Sequence, residues 1–139
     1  MQTIKIFQSL WAMEQRHPFL EEPSDDEKFE KIRSAGFNGV CIDLAAHEVE
    51  DFKKTQPLFK QHKLECMVNA FPYALDDLNP VLQLAKDFEA CFVNIIGGVM
   101  PVDFRDGIPV VEKWMQDGED IGINVLFETH RDSILNDLY

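Results

Sequence analysis

Five short segments rich in β-branched and aromatic residues recur along this chain at intervals of about 30 residues, the length of a βαβ unit. They span residues 3–10, 37–44, 64–70, 91–96 and 121–131. Amphipathic helical segments separate them, and this alternation predicts an α/β fold with a parallel βα repeat and right-handed crossovers. With 139 residues, the length predicts one domain covering residues 1–139.

The helical segments carry recognisable start and stop signals. Ser24 and Glu27 form a capping box, and Gly36 supplies the left-handed stop of the first helix. Pro57 lies within the second helical segment, residues 48–63, and predicts a kink or two short pieces. The pair Asn79-Pro80 predicts the start of the third helix, with asparagine as the cap.

The last helical segment, residues 108–120, precedes Gly122, which predicts its end. Val111, Trp114 and Met115 form its predicted buried stripe. Residues 132–139 then begin a pattern with helical spacing, which predicts the first turns of a fifth helix.

Charge and cysteine content exclude several classes of function. The net charge of −12 and the pI near 4.6 argue against nucleic acid and anionic membranes as partners. The sequence contains neither a signal peptide nor an apolar run of the ~20 residues that a membrane span requires. Three cysteines without a C-x-x-C pair predict a reduced, cytoplasmic setting.

The strongest candidate site closes the fifth predicted strand, which is almost continuously apolar and therefore predicted to be buried on both faces. Glu128, His130 and Arg131 follow it, with the first two expected on the same side. The carboxyl ends of parallel strands are where α/β folds bind ligands. The alternative is an ordinary polar transition from strand to loop.

Three further residues occupy the same predicted rim. Asp43 ends the second strand, Asn69 ends the third, and Trp11 follows the first. The two polar residues are candidate substrate contacts, with loop capping as the alternative. Trp11 is a candidate aromatic wall for a sugar ring, with rim packing as the alternative.

Other polar or flexible positions carry weaker signals. Gly97-Gly98 indicates a tight turn or a close backbone approach rather than a phosphate loop. His17, His47 and His62 lie among charged residues and are predicted to face solvent.

Two segments resemble the sugar phosphate isomerase/epimerase superfamily, the xylose-isomerase-like TIM barrels. They are G-F-N-G-V-C-I-D-L at residues 36–44 and I-N-V-L-F-E-T-H-R at residues 123–131. The resemblance implies that the chain forms the first five strands of a (β/α)8 barrel, a fold of ~250 residues. A five-stranded flavodoxin-like sheet is the alternative architecture.

The resemblance also implies a metal-dependent proton transfer on a keto sugar or polyol. Glu128 would be the first ligand of Mn2+, Mg2+, Co2+ or Zn2+ and a catalytic residue, and His130 and Arg131 would contact a sugar or sugar phosphate. Nothing in the sequence corresponds to strands six to eight, which supply the other three ligands in that family.

The missing ligands lead to expectations for the chain by itself. We expect it to be catalytically silent, and an exposed sheet or barrel edge predicts homo-oligomerisation. The alternative function is a complete small α/β binding or regulatory module without catalysis, so the sequence leaves enzymatic activity open.

Overall fold

A parallel sheet of five strands in sequential order forms the centre of the structure. The computed structural model describes residues 4–99 and 103–136. The strands are β1 (Phe7–Ser9), β2 (Gly39–Leu44), β3 (Glu65–Ala70), β4 (Val93–Ile95) and β5 (Val125–Phe127). Their order is β1-β2-β3-β4-β5, and each neighbouring pair is parallel. The predicted α/β class with a parallel βα repeat is confirmed.

Helices alternate with these strands. They are α1 (Asp25–Ser34), α2 (Val49–Lys53), α3 (Gln56–His62), α4 (Leu78–Asp87) and α5 (Phe104–Ile121), with 3-10 turns at Trp11–Met13, Ala46–Glu48 and Leu75–Asp77. No helix in the described ranges combines the length and the hydropathy needed to cross a membrane.

Several local predictions are confirmed. Ser24 and Glu27 form the capping box at the start of α1, and Gly36 has a φ of +86° after its end. The segment containing Pro57 is divided into α2 and α3, with the proline in the first turn of α3. Gly122 ends α5 with a φ of +83°.

The predicted start of α4 at an Asn79 cap is wrong. The Asp77 carboxylate accepts hydrogen bonds from the backbone N–H groups of Tyr73 and Ala74, at 3.0 and 2.8 Å. These bonds close a 3-10 turn that continues directly into a helix beginning at Leu78. Asn79 therefore lies inside the first turn.

The boundaries and buried stripe of α5 also differ from the prediction. Asp103 caps the helix by accepting from the backbone N–H of Arg105 at 2.8 Å, so α5 begins before residue 108. Trp114 is fully buried, as predicted, whereas Met115 is 47% exposed. The indole Nε1 of Trp114 donates to the carbonyl of Leu75 at 3.1 Å, and its ring stacks on Phe127.

The core lies between the helices and one face of the sheet. Alternate residues of β2 and β3 on this face are fully or almost fully buried: Val40, Ile42, Leu44, Cys66, Val68 and Ala70. They belong to one apolar cluster with residues from α1, α2, α3, α4 and α5, such as Phe29, Val49, Phe59, Leu82 and Trp114. The helices therefore cover the face that carries Val40, which we call the helix face; the opposite side is the open face.

The fifth strand is not buried on both faces, contrary to the prediction. Leu126, on the open face, is 50% exposed, and Val125 and Phe127 are only half-buried. This strand is more exposed than predicted because it lies at the edge of the described sheet, where it pairs only with β4.

The described residues after β5 form turns at positions 131–135 rather than the first turns of the predicted helix. The backbone N–H of Ile134 donates to the carbonyl of Gly97 at 2.8 Å, and the buried Ser133 hydroxyl donates to the carbonyl of His130 at 2.6 Å. The bond to the loop after β4 uses the N–H of Ile134, which a helix would need for its own hydrogen bonding. Leu138 lies outside the described residues, as does Thr3 of the first predicted strand.

His62 does not face solvent as predicted. It is 9% exposed, with its Nε2 atom 2.8 Å from the Asp26 carboxylate and its Nδ1 atom 3.4 Å from Glu30. The imidazole therefore links α3 to α1. His17 and His47 are exposed, in agreement with the prediction.

Candidate functional site

Every strand supplies one polar side chain to the open face near its carboxyl end, or just beyond it. These residues, which we call the polar row, are Ser9, Asp43, Asn69, Asn94 and Glu128. The register explains the alignment: Asp43 pairs with Asn69, which pairs with Asn94. Asn94 in turn pairs with Leu126, two residues before Glu128. Side chains two residues apart share a face of a strand.

Hydrogen bonds join the polar row across all five strands. The Ser9 hydroxyl donates to Asp43 Oδ2 at 2.5 Å, and Asn69 Nδ2 donates to Asp43 Oδ1 at 2.7 Å. Asn94 Nδ2 donates to both Asn69 Oδ1 at 3.1 Å and Glu128 Oε2 at 2.7 Å. Followed from donor to acceptor, these bonds lead to two carboxylates, Asp43 and Glu128.

This pattern fixes the orientation of each group. Asp43 accepts at both of its oxygens, which suits an ionised carboxylate. Asn94 uses both N–H bonds of its amide, so its carbonyl oxygen points away from the row. Among the described residues, the hydrogen bond to Glu128 ends at Oε2, which leaves Oε1 for a ligand.

A cavity of about 740 Å³ lies over the polar row. This volume is within the range of small-molecule sites. Besides Ser9, Asp43, Asn69 and Glu128, its lining includes Trp11, His47, Glu48, Phe71, Tyr73 and His130. Asn94 is not part of the lining and acts through its two bonded neighbours.

The structure brings together five of the six residues that the sequence singles out. Trp11, Asp43, Asn69, Glu128 and His130 all line the cavity, whereas Arg131 is exposed and lies outside the lining. Their roles as ligand contacts remain predictions.

His130 and Trp11 sit at the rim of this cavity. The Nδ1 atom of His130 lies 2.6 Å from the carbonyl oxygen of Arg131 and therefore carries a hydrogen, which leaves Nε2 as the acceptor of a neutral ring. Trp11 is 57% exposed, and the guanidinium of Arg16 lies 4.3 Å from its ring centroid.

Sequence reasoning missed Ser9, Asn94, Phe71 and Tyr73. Asn94 did carry a signal, because asparagine is depleted in strands and this one stands within the apolar run C-F-V-N-I-I. The two aromatic residues carried none, since they lie in a loop whose path depends on the tertiary structure.

The glycine pair after β4 is explained by close packing. A Cβ atom at Gly98 would lie 2.6 Å from the ring of Tyr73, and one at Gly97 would lie 2.6 Å from the ring of Trp114. This agrees with a close backbone approach and places Tyr73 at the cavity.

The described residues do not make a metal site by themselves. Within them, no group of three or more histidine, cysteine, aspartate or glutamate residues is arranged to hold an ion. Asp43 already accepts two hydrogen bonds, and Glu128 has one oxygen left. The candidate carboxylate ligands in the described lining are therefore Glu128 and Glu48, whose Oε2 accepts from the backbone N–H of Ala45, and any ion would need others.

Comparison with protein-family models and with curated proteins found no match to this chain. The geometry and chemistry of the polar row are therefore the basis for its functional interpretation.

Proposed function

We propose that this chain is the amino-terminal part of a divalent-metal-dependent sugar isomerase/epimerase-like enzyme, which transfers a proton on a keto sugar or polyol. The observation that carries the proposal is the polar row at the carboxyl ends of five sequential parallel strands. In barrels of βα units, catalytic residues come from the carboxyl ends of several strands.

The topology supports the barrel rather than the flavodoxin-like alternative. Strand order is sequential, and the helices pack on one face, as in successive units of a (β/α)8 barrel. A flavodoxin-like sheet has the order 2-1-3-4-5 with helices on both faces. In the proposed barrel, the open face with Leu126 would be the interior.

The cavity suits a polyhydroxylated ligand. The carboxylate and amide oxygens of the polar row can accept hydrogen bonds from hydroxyl groups. Trp11 and Tyr73 can supply aromatic surface against a sugar ring, because aromatic side chains combine a large apolar area with a rigid shape. Glu128, held through Oε2, is the group proposed to move a proton or to bind the metal.

Metal ligands from outside the described residues are part of this proposal. Mn2+, Mg2+, Co2+ or Zn2+ would polarise the sugar oxygens if a full ligand set were present. Because the described residues supply an incomplete ligand set, we expect the chain alone to bind Mn2+ weakly and to show no turnover.

Nuclear magnetic resonance tests the site directly. The side-chain amide signals of Asn69 and Asn94 are followed while D-fructose is titrated, and paramagnetic broadening by Mn2+ is followed in parallel. We expect both probes to affect residues around the cavity, and Glu128→Gln to abolish the Mn2+ effect. Glu119→Gln, which removes a charge from an exposed position of α5, is the matched control.

Two results would overturn the proposal. One is broadening by Mn2+ that is centred elsewhere, together with no response of either amide to ketoses or polyols. The other is broadening near Glu128 that Glu128→Gln leaves unchanged. An assay of the chain with a ketose panel and Mn2+ separately tests its expected catalytic silence.

The second candidate is a complete small α/β binding module without catalysis. It is favoured by the return of residues 131–135 to the loop after β4, where Ile134 bonds to Gly97. This candidate predicts sugar binding that Mn2+ does not change.

A further inference from the structure

We infer that the cavity over the polar row selects an uncharged polyhydroxy ligand and discriminates against its phosphate ester. This inference rests on the proposed function, and it narrows the substrate class from sugars or sugar phosphates to neutral sugars. It follows from three observations on the lining of the cavity: its charges, its hydrogen-bonding groups and the state of its backbone donors.

The first observation is the sign of the charge. The described lining contains three carboxylates, on Asp43, Glu48 and Glu128, and neither lysine nor arginine. A phosphate dianion in this cavity would lie beside like charges in a partly desolvated space, where repulsion is stronger than in bulk water. The overall net charge of −12 adds to this repulsion.

The second observation is an acceptor left over in the lining. The hydrogen bonds of the polar row consume the Ser9 hydroxyl and both N–H bonds of Asn94, whereas Oε1 of Glu128 receives none of them. Sugar hydroxyls can donate to this carboxylate oxygen, whereas a phosphate dianion is itself an acceptor and has no hydrogen to donate to it.

The third observation concerns the loops after β2, β3 and β4. Proteins commonly bind phosphate through clusters of free backbone N–H groups. Here the N–H of Ala45 donates to Glu48, and those of Tyr73 and Ala74 donate to Asp77. The N–H of Gly98 donates to the carbonyl of Pro72.

In the described parts of these loops, such bonds reduce the number of backbone N–H groups that a phosphate could use. In two of the loops a carboxylate of the protein itself already occupies the place that a phosphate oxygen would take. To use these N–H groups, a bound phosphate would have to displace the carboxylate of Glu48 or Asp77.

Two cations near the rim could oppose this selection, although neither is part of the described lining. The guanidinium of Arg16 stacks on Trp11, and Arg131 follows the lining residue His130 in the chain. Any phosphate affinity that the site retains is therefore expected to depend on Arg16 or Arg131, which makes Arg16→Gln and Arg131→Gln the informative variants.

The test compares D-fructose with D-fructose 6-phosphate by following the amide signals of Asn69 and Asn94 at low and high salt. We expect the ester to bind about tenfold more weakly, equivalent to ~1.4 kcal/mol. High salt should reduce this difference, because screening weakens repulsion between charges. Glu128→Gln should also reduce it, while the control Glu119→Gln should not.

The outcomes separate this inference from the proposed function. If the ester binds as tightly as fructose, or more tightly, at the same two amides, the inference is overturned and the sugar site stands. Loss of that ester binding in Arg16→Gln or Arg131→Gln would identify the rim as its phosphate contact. If neither compound, nor any polyol, affects the two amides, the proposed function fails as well.

Discussion

Asn94 controls how the carboxylate of Glu128 is held. Its amide nitrogen is shared between Asn69 and Glu128, so one side chain joins the two halves of the polar row. Substituting Asn94 would change how the Glu128 carboxylate is positioned and leave its charge in place, whereas substituting Glu128 by glutamine removes the charge. The residue is half-buried, which gives its hydrogen bonds more weight than those of fully exposed groups.

Asn94→Ala is expected to lower the free energy of unfolding by about 1 kcal/mol, because it removes the hydrogen-bond donor of the part-buried Asn69 carbonyl and of the exposed Glu128 carboxylate. Urea denaturation measures this change, and Asn79→Ala on an exposed turn of α4 is the control, with an expected change within ~0.5 kcal/mol. Equal effects of the two substitutions would contradict the role assigned to Asn94.

The three cysteines should differ sharply in reactivity. Burial raises the pKa of Cys41 to about 12, with a smaller contribution from the Asp43 carboxylate, and burial also raises the pKa of Cys66. The pKa of Cys91 is raised as well, by partial burial and by its hydrogen bond to Glu65 at 3.1 Å, but its thiol is exposed. The thiolate is the reactive form, and accessibility limits the attack on the other two.

We therefore expect one thiol of the native chain to react with a disulfide reagent, and the other two only after unfolding. Cys91→Ser should remove the reaction of the native protein, whereas Cys66→Ser should not. Reaction of a second thiol before unfolding would contradict this expectation: reaction of Cys66 would show that the helix face opens readily, and reaction of Cys41 would show that the open face is accessible.

At the scale of elements, an ion pair anchors the long loop between β1 and α1. Glu22 accepts from the buried Lys28 and from the backbone N–H of Gln15. The bond from Lys28 and then that from Gln15 lower the pKa of Glu22 below its usual value of 4.5. A lowered pKa stabilises the fold above that usual value, and the contribution is lost as pH falls through the folded-state pKa.

Glu22→Gln should therefore lower Tm at neutral pH, and the difference from the wild type should start to shrink near pH 4.5 and disappear as pH falls through the lower folded-state pKa. Thermal unfolding followed by circular dichroism across this range measures it. Glu21→Gln, on the neighbouring exposed residue, is the control. A difference that grows as pH falls would mean that the sign of the linkage is wrong.

The contact between α5 and β5 depends on a glycine. A Cβ atom at Gly118 would lie 2.7 Å from Val125 Cγ1 and 3.0 Å from the carbonyl oxygen of Ile123. Gly118→Ala gains helix propensity, but we expect the clash to outweigh it and to destabilise the fold by about 1 kcal/mol or more. Glu119→Ala is the matched control, and a stabilising Gly118→Ala would contradict this packing.

The elements that sequence reasoning predicted correctly are those specified by local contacts. The capping box of Ser24 and Glu27 spans four residues and appears as expected. The start of α4 was wrong because Asp77 bonds backward to the loop, in competition with the cap predicted at Asn79. The exposure of Leu126 was missed because it depends on which strands flank β5.

The same division applies to the candidate site. Asp43, Asn69 and Glu128 were predicted because each closes its strand, so their shared edge follows from parallel order alone. Ser9 and Asn94 were missed because their roles follow from the cross-strand register, which periodicity within one strand does not reveal.

At the scale of the whole molecule, the open face sets the sheet apart. All-parallel sheets normally have both faces covered. Here the helices pack on the helix face, while Leu126 on the open face is half exposed. The side chains that β2 and β3 place on the same face, such as Cys41 and Met67, are buried or half-buried.

The exposed Leu126 lies on a strand that pairs on one side only within the described sheet, and this combination predicts self-association. Sedimentation velocity should therefore show a concentration-dependent increase in mass, and Leu126→Asn should shift the distribution toward monomer because it removes apolar area from the open face. Met115→Gln, which removes a similarly exposed side chain from α5, is the control. A wild-type chain that stays monomeric at every concentration would favour the complete binding module, since that candidate requires no cover for the open face. Self-association that Leu126→Asn leaves intact but Met115→Gln abolishes would instead assign the contact to the helical side.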